Sequence, residues 1–437
     1  MKNIIKTHFV MLAACSCLAA ASCTDDPKDF SGVWQDDDYK YIGKAVGNFS
    51  EDEWYPGGRL GTTENIQAGC YEDETPAVNN QGLIDDFNLG EMFFERNVTL
   101  NTPPFNGLGP ASVRTSCIDC HPAYGHGKRQ DTYKAANYGN GYLLVIYNPT
   151  DGDNSNDGPF ISEVTGMPQT QAVSPFLPPV DENQIDMRWH QVTAMESGLP
   201  MEFPDGEKYE LIYPEINIPQ SAFNTYPKPE NIAVRVESTI GIIGTGLIDA
   251  IPESALKEQY RAQAEYARMM AEKNGNNADE YINSAMWDLS SDDWASSAYY
   301  TNWTSPGALA DGTPVSGMIK RYTYALTRAS LQDGAGANAM WNIPNVSRPD
   351  RPKLYTTQAW ADAMSMNADV INAIKNDPTS PYYADGTESG IADAVKNLLS
   401  PSTNQFDNRW HNFTPEMSTD NFYAFMVWHR GLAIPRA

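Results

Sequence analysis

The chemistry-bearing residues of this chain stand together at Cys117-Ile118-Asp119-Cys120-His121. Two thiols one helical turn apart can each form a thioether bond to a vinyl group of haem, and the adjacent imidazole can then bind the iron. The chain has 6 Cys and 6 His in 437 residues, so the motif would arise by chance in roughly one such chain in a thousand. The spacing predicts one covalent haem c, bound by Cys117 and Cys120, with His121 as the proximal iron ligand.

Two other interpretations use the same cysteine pair. A structural zinc site needs four ligands and usually a second Cys or His pair at similar spacing, which the sequence lacks. A redox-active dithiol is a further alternative, although no βαβ pattern surrounds the motif.

The first residues predict export from the cytoplasm. Lys2 and Lys6 precede an apolar run that is too short to span a bilayer, which is typical of a signal peptide covering residues 1–22. Small residues then lead to Cys23 and an abrupt polar switch, as at a bacterial lipoprotein cleavage site. Cys15 also fits such a box, with a better residue three places upstream, but it leaves too short an apolar core before it, so Cys23 is favoured. A cleaved signal peptide without lipid is the alternative. We expect a protein of the bacterial cell envelope, tethered to the lipid membrane through Cys23, and c-type haem is attached in this compartment.

Charge and cysteine count exclude several classes of protein. The formal net charge is −26, which argues against nucleic-acid binding and leaves room for a basic redox partner. If Cys23 carries lipid and the motif carries haem, Cys70 has no cysteine left to pair with. A disulfide framework is therefore excluded.

Periodicity predicts a mainly α, cytochrome c-like fold with a small β-rich insert, α+β overall. Residues 23–55 are acidic and polar and are interpreted as a tether, and 56–437 as the haem domain. Alternating apolar residues place the β insert at about 141–240, with a hairpin turn at 203–206. Helices are predicted over the following ranges: 111–121, 252–273, 357–376, 390–399 and 420–429.

The segment Gly107-Leu-Gly-Pro, followed by the haem motif and Gly125-x-Gly127, resembles the first haem site of the di-haem oxidoreductase family, relatives of bacterial di-haem cytochrome c peroxidases. Three later segments agree in order with that family: Phe203-Pro-Asp-Gly, Gly246-Leu-Ile-Asp-Ala-Ile-Pro-Glu and Trp428-His-Arg-Gly-Leu-Ala-Ile-Pro. The resemblance covers most of residues 90–437 and implies a role as an oxidoreductase.

The chain departs from the family pattern in carrying one Cys-x-x-Cys-His site where the family carries two. It stops at Ala437, where the resemblance would lead into the second haem. We expect either a truncated member, which is the favoured interpretation, or a mono-haem descendant. Catalysis that needs two communicating haems is in doubt, so a second haem domain elsewhere is a candidate partner.

The sequence does not identify the second axial ligand of the haem iron. Haem iron most often takes His or Met there, and the candidates are His190, Met195, Met201 and His429. His126 is too close to His121 in the chain to reach the opposite face. The acidic loop 151–158 has alternate oxygen side chains but no acid at its twelfth position, so a solvated turn is favoured over a Ca²⁺ site.

These observations together predict an envelope-anchored c-type cytochrome acting in electron transfer. Peroxidase-like turnover is uncertain because the second haem site is missing. The alternative is a haem-free surface lipoprotein that binds a glycan or a partner protein through its many aromatic side chains.

Overall fold

The computed structural model describes residues 51–437 apart from 66, 68, 101, 103–104, 136, 150–160, 240, 301–316, 323–325, 327, 332–342, 346–353, 403–414, 433 and 435–437. The predicted signal peptide, Cys23, nearly all of the tether and the acidic loop 151–158 lie outside the described residues. Within them the chain mixes helices with short antiparallel strands, which confirms the α+β class.

The helices lie mainly at the two ends of the described chain. Their bounds are α1 (Glu51–Trp54), α2 (Gly58–Gly61), α3 (Pro76–Asn80), α4 (Ile84–Glu95), α5 (Ala194–Ser197), α6 (Thr245–Ala250), α7 (Glu253–Asn274), α8 (Gln358–Met366), α9 (Ala368–Lys375), α10 (Glu388–Leu399) and α11 (Pro415–Gly431).

The strands form two-residue to seven-residue antiparallel pairs. Their bounds are β1 (Ala111–Ser112), β2 (Tyr142–Tyr147), β3 (Gln171–Ala172), β4 (Asp186–Val192), β5 (Leu211–Asn217), β6 (Ala233–Ser238), β7 (Trp287–Asp288) and β8 (Asp293–Trp294). The pairs are β1 with β3, β2 with β6, β4 with β5 and β7 with β8. The predicted β insert is confirmed in β2, β4, β5 and β6, and Gly206 N donates to Phe203 O (2.9 Å) in the expected hairpin turn.

The helix predicted over 111–121 is wrong. Ala111 and Ser112 are strand residues paired with β3, and Val113 N donates to Ile343 O (2.9 Å). These bonds to distant segments hold the backbone extended, so only the haem motif itself turns. Tertiary pairing has overridden local preference here, as it often does over short segments.

The helix predicted over 357–376 is two helices that meet at Asn367. The Asn367 side chain accepts hydrogen bonds from Asp369 N (3.0 Å) and Val370 N (3.1 Å). An amide side chain that satisfies the first free N–H groups starts a new helix, so α8 ends there and α9 begins. The other three predicted helices correspond to α7, α10 and α11, each with bounds shifted by a few residues.

Helices α4 and α11 form the closest helix pair around the haem motif. A Cβ on Gly90 of α4 would lie 2.1 Å from Ala424 O and 2.5 Å from Trp428 Cβ of α11. Only a residue without a side chain allows the two backbones to approach so closely. Their shared hydrophobic cluster includes Phe94 and Phe425, and Cys117 packs against it.

Candidate functional site

The haem motif is a single turn fixed to the end of helix α4. Cys117 N and Ile118 N both donate to Phe94 O, at 3.1 and 3.2 Å, and His121 N donates to Cys117 O at 3.2 Å. The last carbonyls of a helix have no partner within it, so the motif amides satisfy a group that α4 leaves open. Both cysteines and the histidine therefore sit on one turn whose position is set by α4.

The other side of the turn is held by the residue that follows strand β6. The Thr239 hydroxyl donates to Cys120 O (3.0 Å) and accepts from Gly127 N (3.1 Å). Gly127 is needed there because a Cβ would lie 2.4 Å from Gly141 Cα, at the entry to β2. Gly127 thus allows a close backbone contact, whereas a Cβ on Gly125 would meet no atom closer than 3.5 Å.

A hydrogen bond to the main chain sets the tautomer of the His121 ring. Nδ1 lies 3.3 Å from Gly125 O, and a carbonyl oxygen can only accept, so Nδ1 carries the proton. We assign this tautomer from the hydrogen-bond network, and it places the lone pair on Nε2. A backbone carbonyl in this role is the usual outer partner of a metal-bound imidazole.

The chain reverses sharply after His121 to bring Gly125 into place. Ala123 and Tyr124 both have positive φ, at 50° and 58°. Consecutive left-handed residues other than glycine are uncommon and are tolerated where the surrounding structure enforces them. Tyr124 is buried, and its main-chain carbonyl oxygen accepts a hydrogen bond from Ile242 N (3.0 Å).

The two motif sulfurs are protonated at neutral pH. Burial of the sulfur, followed by the charges of Cys120 and Asp119, raises the pKa of Cys117 to about 12. Burial also raises the pKa of Cys120, against the opposing influence of Arg114. Redox-active cysteines react as thiolates and usually have lowered pKa values, so these environments are unlike those of a redox-active dithiol.

Aromatic rings cover the motif on the side of α11. Phe94 lies 6.1 Å from the His121 ring and 4.3 Å from the Trp428 ring, measured between centroids. Tyr124 lies 5.6 Å from Trp428, edge to face. These three buried rings form an apolar wall beside the motif.

Trp428 brings a polar group into that wall. Its side chain is fully buried, and within the part of the chain that the structure describes its Nε1–H has no acceptor. A buried donor without a partner costs about 1–3 kcal/mol. An acceptor carried by a bound group, such as a carboxylate, would remove that cost.

His429 is the second histidine of the site. It is 2% exposed, and its Nδ1 lies 3.0 Å from the Thr245 hydroxyl. Burial is the main cause of a pKa lowered to about 4, and positive charge on His121 and Arg430 lowers it further. His429 therefore holds a proton less tightly than an exposed imidazole does.

A buried carboxylate fixes the end of α11 that carries His429. Asp249 Oδ2 accepts from Arg430 (2.9 Å), and Asp249 Oδ1 accepts from the hydroxyl of Tyr322 (3.1 Å) and from Leu331 N (3.2 Å). A Cβ on Gly246 would lie 2.4 Å from Arg430 O, so α6 and α11 touch through backbone.

The other histidine and methionine candidates are placed away from the motif turn. His190 is on strand β4, paired with Glu215 at 2.5 Å and stacked on Tyr213 at 5.3 Å. Met195 is 92% exposed in α5, and Met201 lies in the same hairpin arm, where its O accepts from Tyr209 N. His126 is exposed, with Nδ1 3.1 Å from Thr239 O.

Sequence reasoning had placed Trp428 and Arg430 beside His429 as residues that could touch a haem propionate, but it missed Thr245 and Phe94. Thr245 directly precedes the family-like segment that begins at Gly246, so the resemblance offered a usable signal for it. Phe94 has no local signal, since its role follows from where α4 ends.

The described residues contain no group of three or more His, Cys, Asp or Glu side chains placed to hold a metal ion. No helix among them is both long enough and apolar enough to cross a membrane.

No family model, curated protein or solved structure matches this chain. The resemblance to di-haem oxidoreductases therefore rests on the quoted motifs alone.

Proposed function

We propose that this chain is a c-type cytochrome of the bacterial cell envelope that transfers electrons and resembles the first-haem part of di-haem oxidoreductases. The observation that supports this proposal most directly is the turn formed by residues 117–121. Two protonated thiols and an imidazole with its lone pair on Nε2 stand on one turn fixed to α4. Haem would supply the one-electron chemistry of iron.

Cys117 and Cys120 would hold haem through thioether bonds. Each thiol adds its sulfur to one carbon of a vinyl group and its hydrogen to the other, so no oxidant and no leaving group are needed.

The surroundings supply further support for haem at this turn. His121 would bind the iron, with Gly125 O keeping its Nδ1 protonated. The apolar wall of Phe94, Tyr124 and Trp428 suits a large flat ring, and a haem propionate is an acceptor of the kind that the Trp428 N–H lacks. The part of the chain that we propose to be cytochrome c-like is the helix pair α4 and α11, which pack together beside the motif.

A haem stain on a denaturing gel tests the proposal. The full chain is made in cells competent in haem attachment, as wild type, as Cys117→Ser/Cys120→Ser, and as Cys70→Ser. Cys70 is also buried but lies outside the motif, which makes it a matched control. We expect the wild type and Cys70→Ser to stain and the double variant to lose the stain, because only covalent haem survives denaturation.

An unstained wild-type band would refute the proposal and favour the alternative of a haem-free surface lipoprotein. That alternative predicts no Soret absorption and measurable binding to an oligosaccharide or a partner protein. Metal analysis of the same preparation would then identify zinc if the cysteine pair binds it.

A further inference from the structure

We propose that the hairpin of strands β4 and β5 is a docking arm for a partner protein whose contact surface has basic side chains around an apolar centre. The arm is defined as residues 186–217, and its tip as residues 193–210, which connect the two strands. None of these residues belongs to the motif turn, to α4 or to α11. The inference therefore goes beyond the proposed function and does not require haem.

The arm extends out of the body of the protein. It is anchored at its ends by Met187 and Ile218, which are buried in one hydrophobic cluster with residues of β2. Trp189 and Ile216 pack partly against the same cluster. No residue from 188 to 217 is buried, so the rest of the arm adds nothing to the core of this chain.

The register of the two strands gives the arm one apolar face. Met187 pairs with Ile216, and Trp189 pairs with Pro214. Directly paired residues present their side chains on the same face of a sheet. Ile212 continues this face, because side chains two positions apart along a strand point to the same side. Ile212 is exposed, so the apolar face runs beyond the part that the core covers.

The tip adds further apolar side chains that nothing in the described part of the chain buries. Met195 is 92% exposed and Phe203 is 51% exposed, and Leu199 is exposed as well. The Phe203 ring lies 4.6 Å from the Tyr209 ring, measured between centroids. Apolar residues exposed singly are ordinary, but a group of them on one element indicates an interaction site. Methionine and aromatic side chains are also enriched in protein interfaces.

Hydrogen bonds hold the tip in a defined shape. Thr193 N donates to Glu196 Oε2 (2.7 Å), and Glu196 N donates to Thr193 Oγ1 (3.3 Å), at the start of helix α5. Phe203 N donates to Glu207 O (2.8 Å) in the hairpin turn. A surface that is ordered before binding loses less conformational entropy when a partner docks.

The charge of the tip identifies the kind of partner. The tip contains five carboxylate side chains and one basic side chain, Lys208. A second copy of the arm would bring like charges together, and anionic lipid headgroups would be repelled in the same way. A protein with lysine and arginine side chains around an apolar centre complements both the charge and the exposed rings.

Photocrosslinking in the cells that naturally make the protein tests the arm. The full chain is made with p-benzoylphenylalanine in place of Phe203 or, as the matched control, in place of Tyr266, which is 54% exposed on α7. We expect a protein adduct from position 203 that position 266 does not give. Mass spectrometry of the adduct should place the crosslink on a surface with an excess of lysine and arginine.

Binding of the crosslinked protein, once purified, to the full chain is the second measurement. We expect Phe203→Ser to weaken the affinity by about tenfold or more, since aromatic anchors dominate interface energies, and Tyr266→Ser to leave it unchanged. Glu207→Lys should also weaken binding, in contrast to Glu258→Lys on α7. The affinity should fall as the ionic strength rises from about 50 to about 300 mM. All four substitutions are at exposed positions, so the variants should unfold at the same urea concentration as the wild type.

The inference is overturned if position 203 gives no adduct beyond those of position 266, or if its adduct is a second copy of this chain, a lipid or a protein with an acidic surface. It is also overturned if Phe203→Ser binds the partner as tightly as Tyr266→Ser. A chain that fails to stain for haem would refute the proposed function without affecting this result.

Discussion

A single proton on Thr245 decides what His429 can do. Because that hydroxyl donates to Ile242 O, it accepts from Nδ1, and the lone pair of the imidazole falls on Nε2. His121 reaches the same state through Gly125 O. Two histidines of one site thus share a tautomer for the same physical reason, namely an outer oxygen that must accept.

Tyr124 forms a second hydrogen-bond network, with two glutamates of helix α4. Its hydroxyl has one proton and lies 2.8 Å from Glu95 and 3.2 Å from Glu91, so it donates to the nearer Glu95. Burial raises the pKa of Glu91, and repulsion from Glu95 raises it further. Glu91 therefore binds its proton more tightly in the folded state than in the unfolded state.

The sign of the pH dependence follows from that shift. Stability from Glu91 is complete below its unfolded pKa and is lost as the pH rises through its higher folded pKa. We expect Glu91→Gln to stabilise the protein by about 0.5 kcal/mol at pH 7, because it removes a like-charge pair four residues apart on α4. Urea unfolding at several pH values measures the change.

Glu95→Gln is the contrasting variant for the same measurement. It replaces a charge-assisted hydrogen bond by a neutral one, and this loss outweighs the relief of the same like-charge pair, so we expect a net loss of about 0.5 kcal/mol at pH 7. Equal and opposite effects are not required, but a destabilised Glu91→Gln protein would contradict the argument.

At the scale of elements, helix α4 carries the motif and helix α11 carries His429. The site therefore depends on how closely these two helices pack. Gly90 allows that approach, since a Cβ there meets backbone atoms of α11 rather than a movable side chain. Helix contacts of this kind do not accommodate an extra methyl group without a shift of the backbone.

We expect Gly90→Ala to lower the free energy of unfolding by about 1–3 kcal/mol, because the added methyl group forces α4 and α11 apart. Chemical denaturation measures the effect.

Gly69→Ala is the matched control, since a Cβ there has no atom within 4 Å and the backbone φ is −84°. We expect its stability to change by less than about 0.5 kcal/mol. A Gly90→Ala protein as stable as Gly69→Ala would refute the close-packing argument.

At the scale of the whole molecule, the site belongs to one hydrophobic cluster among several. Helices α8, α9 and α10 bury a separate cluster around Trp360, and strands β2, β4 and β6 contribute to a third. These units support the site through segments such as β6 and its following turn, not through contact with the histidines. The net charge of −26 acts on the molecule as a whole.

That charge gives an expectation about electron-transfer partners. Oxidation of the reduced haem-loaded chain by a cation, hexaammineruthenium(III), should slow by about tenfold as ionic strength rises from about 10 to about 150 mM, because salt screens the attraction. Oxidation by ferricyanide, an anion, should accelerate over the same range. Stopped-flow absorption measures both rates, and a reversed pair of salt effects would mean that local positive charge dominates at the haem edge.

The sequence by itself predicts the chemistry of the motif, and it located several of the longer helices and strands but not α4. Cys117, Cys120 and His121 are adjacent in the chain, so their spacing alone defines what they can bind. Strong periodicity likewise located α7, α10 and the hairpin of β4 and β5, because local patterns of period 3.6 and 2 are visible without the fold.

Only the tertiary structure shows that His429 is buried whereas Met195 is almost fully exposed. Thr245 and His429 are 184 residues apart, and nothing in the local sequence states that they meet. The extended backbone at Ala111 and Ser112 was likewise set by pairing with β3, which no short-range pattern predicts. Contacts between distant segments decide burial, tautomer and proximity, and these properties distinguish a candidate iron ligand from a surface histidine.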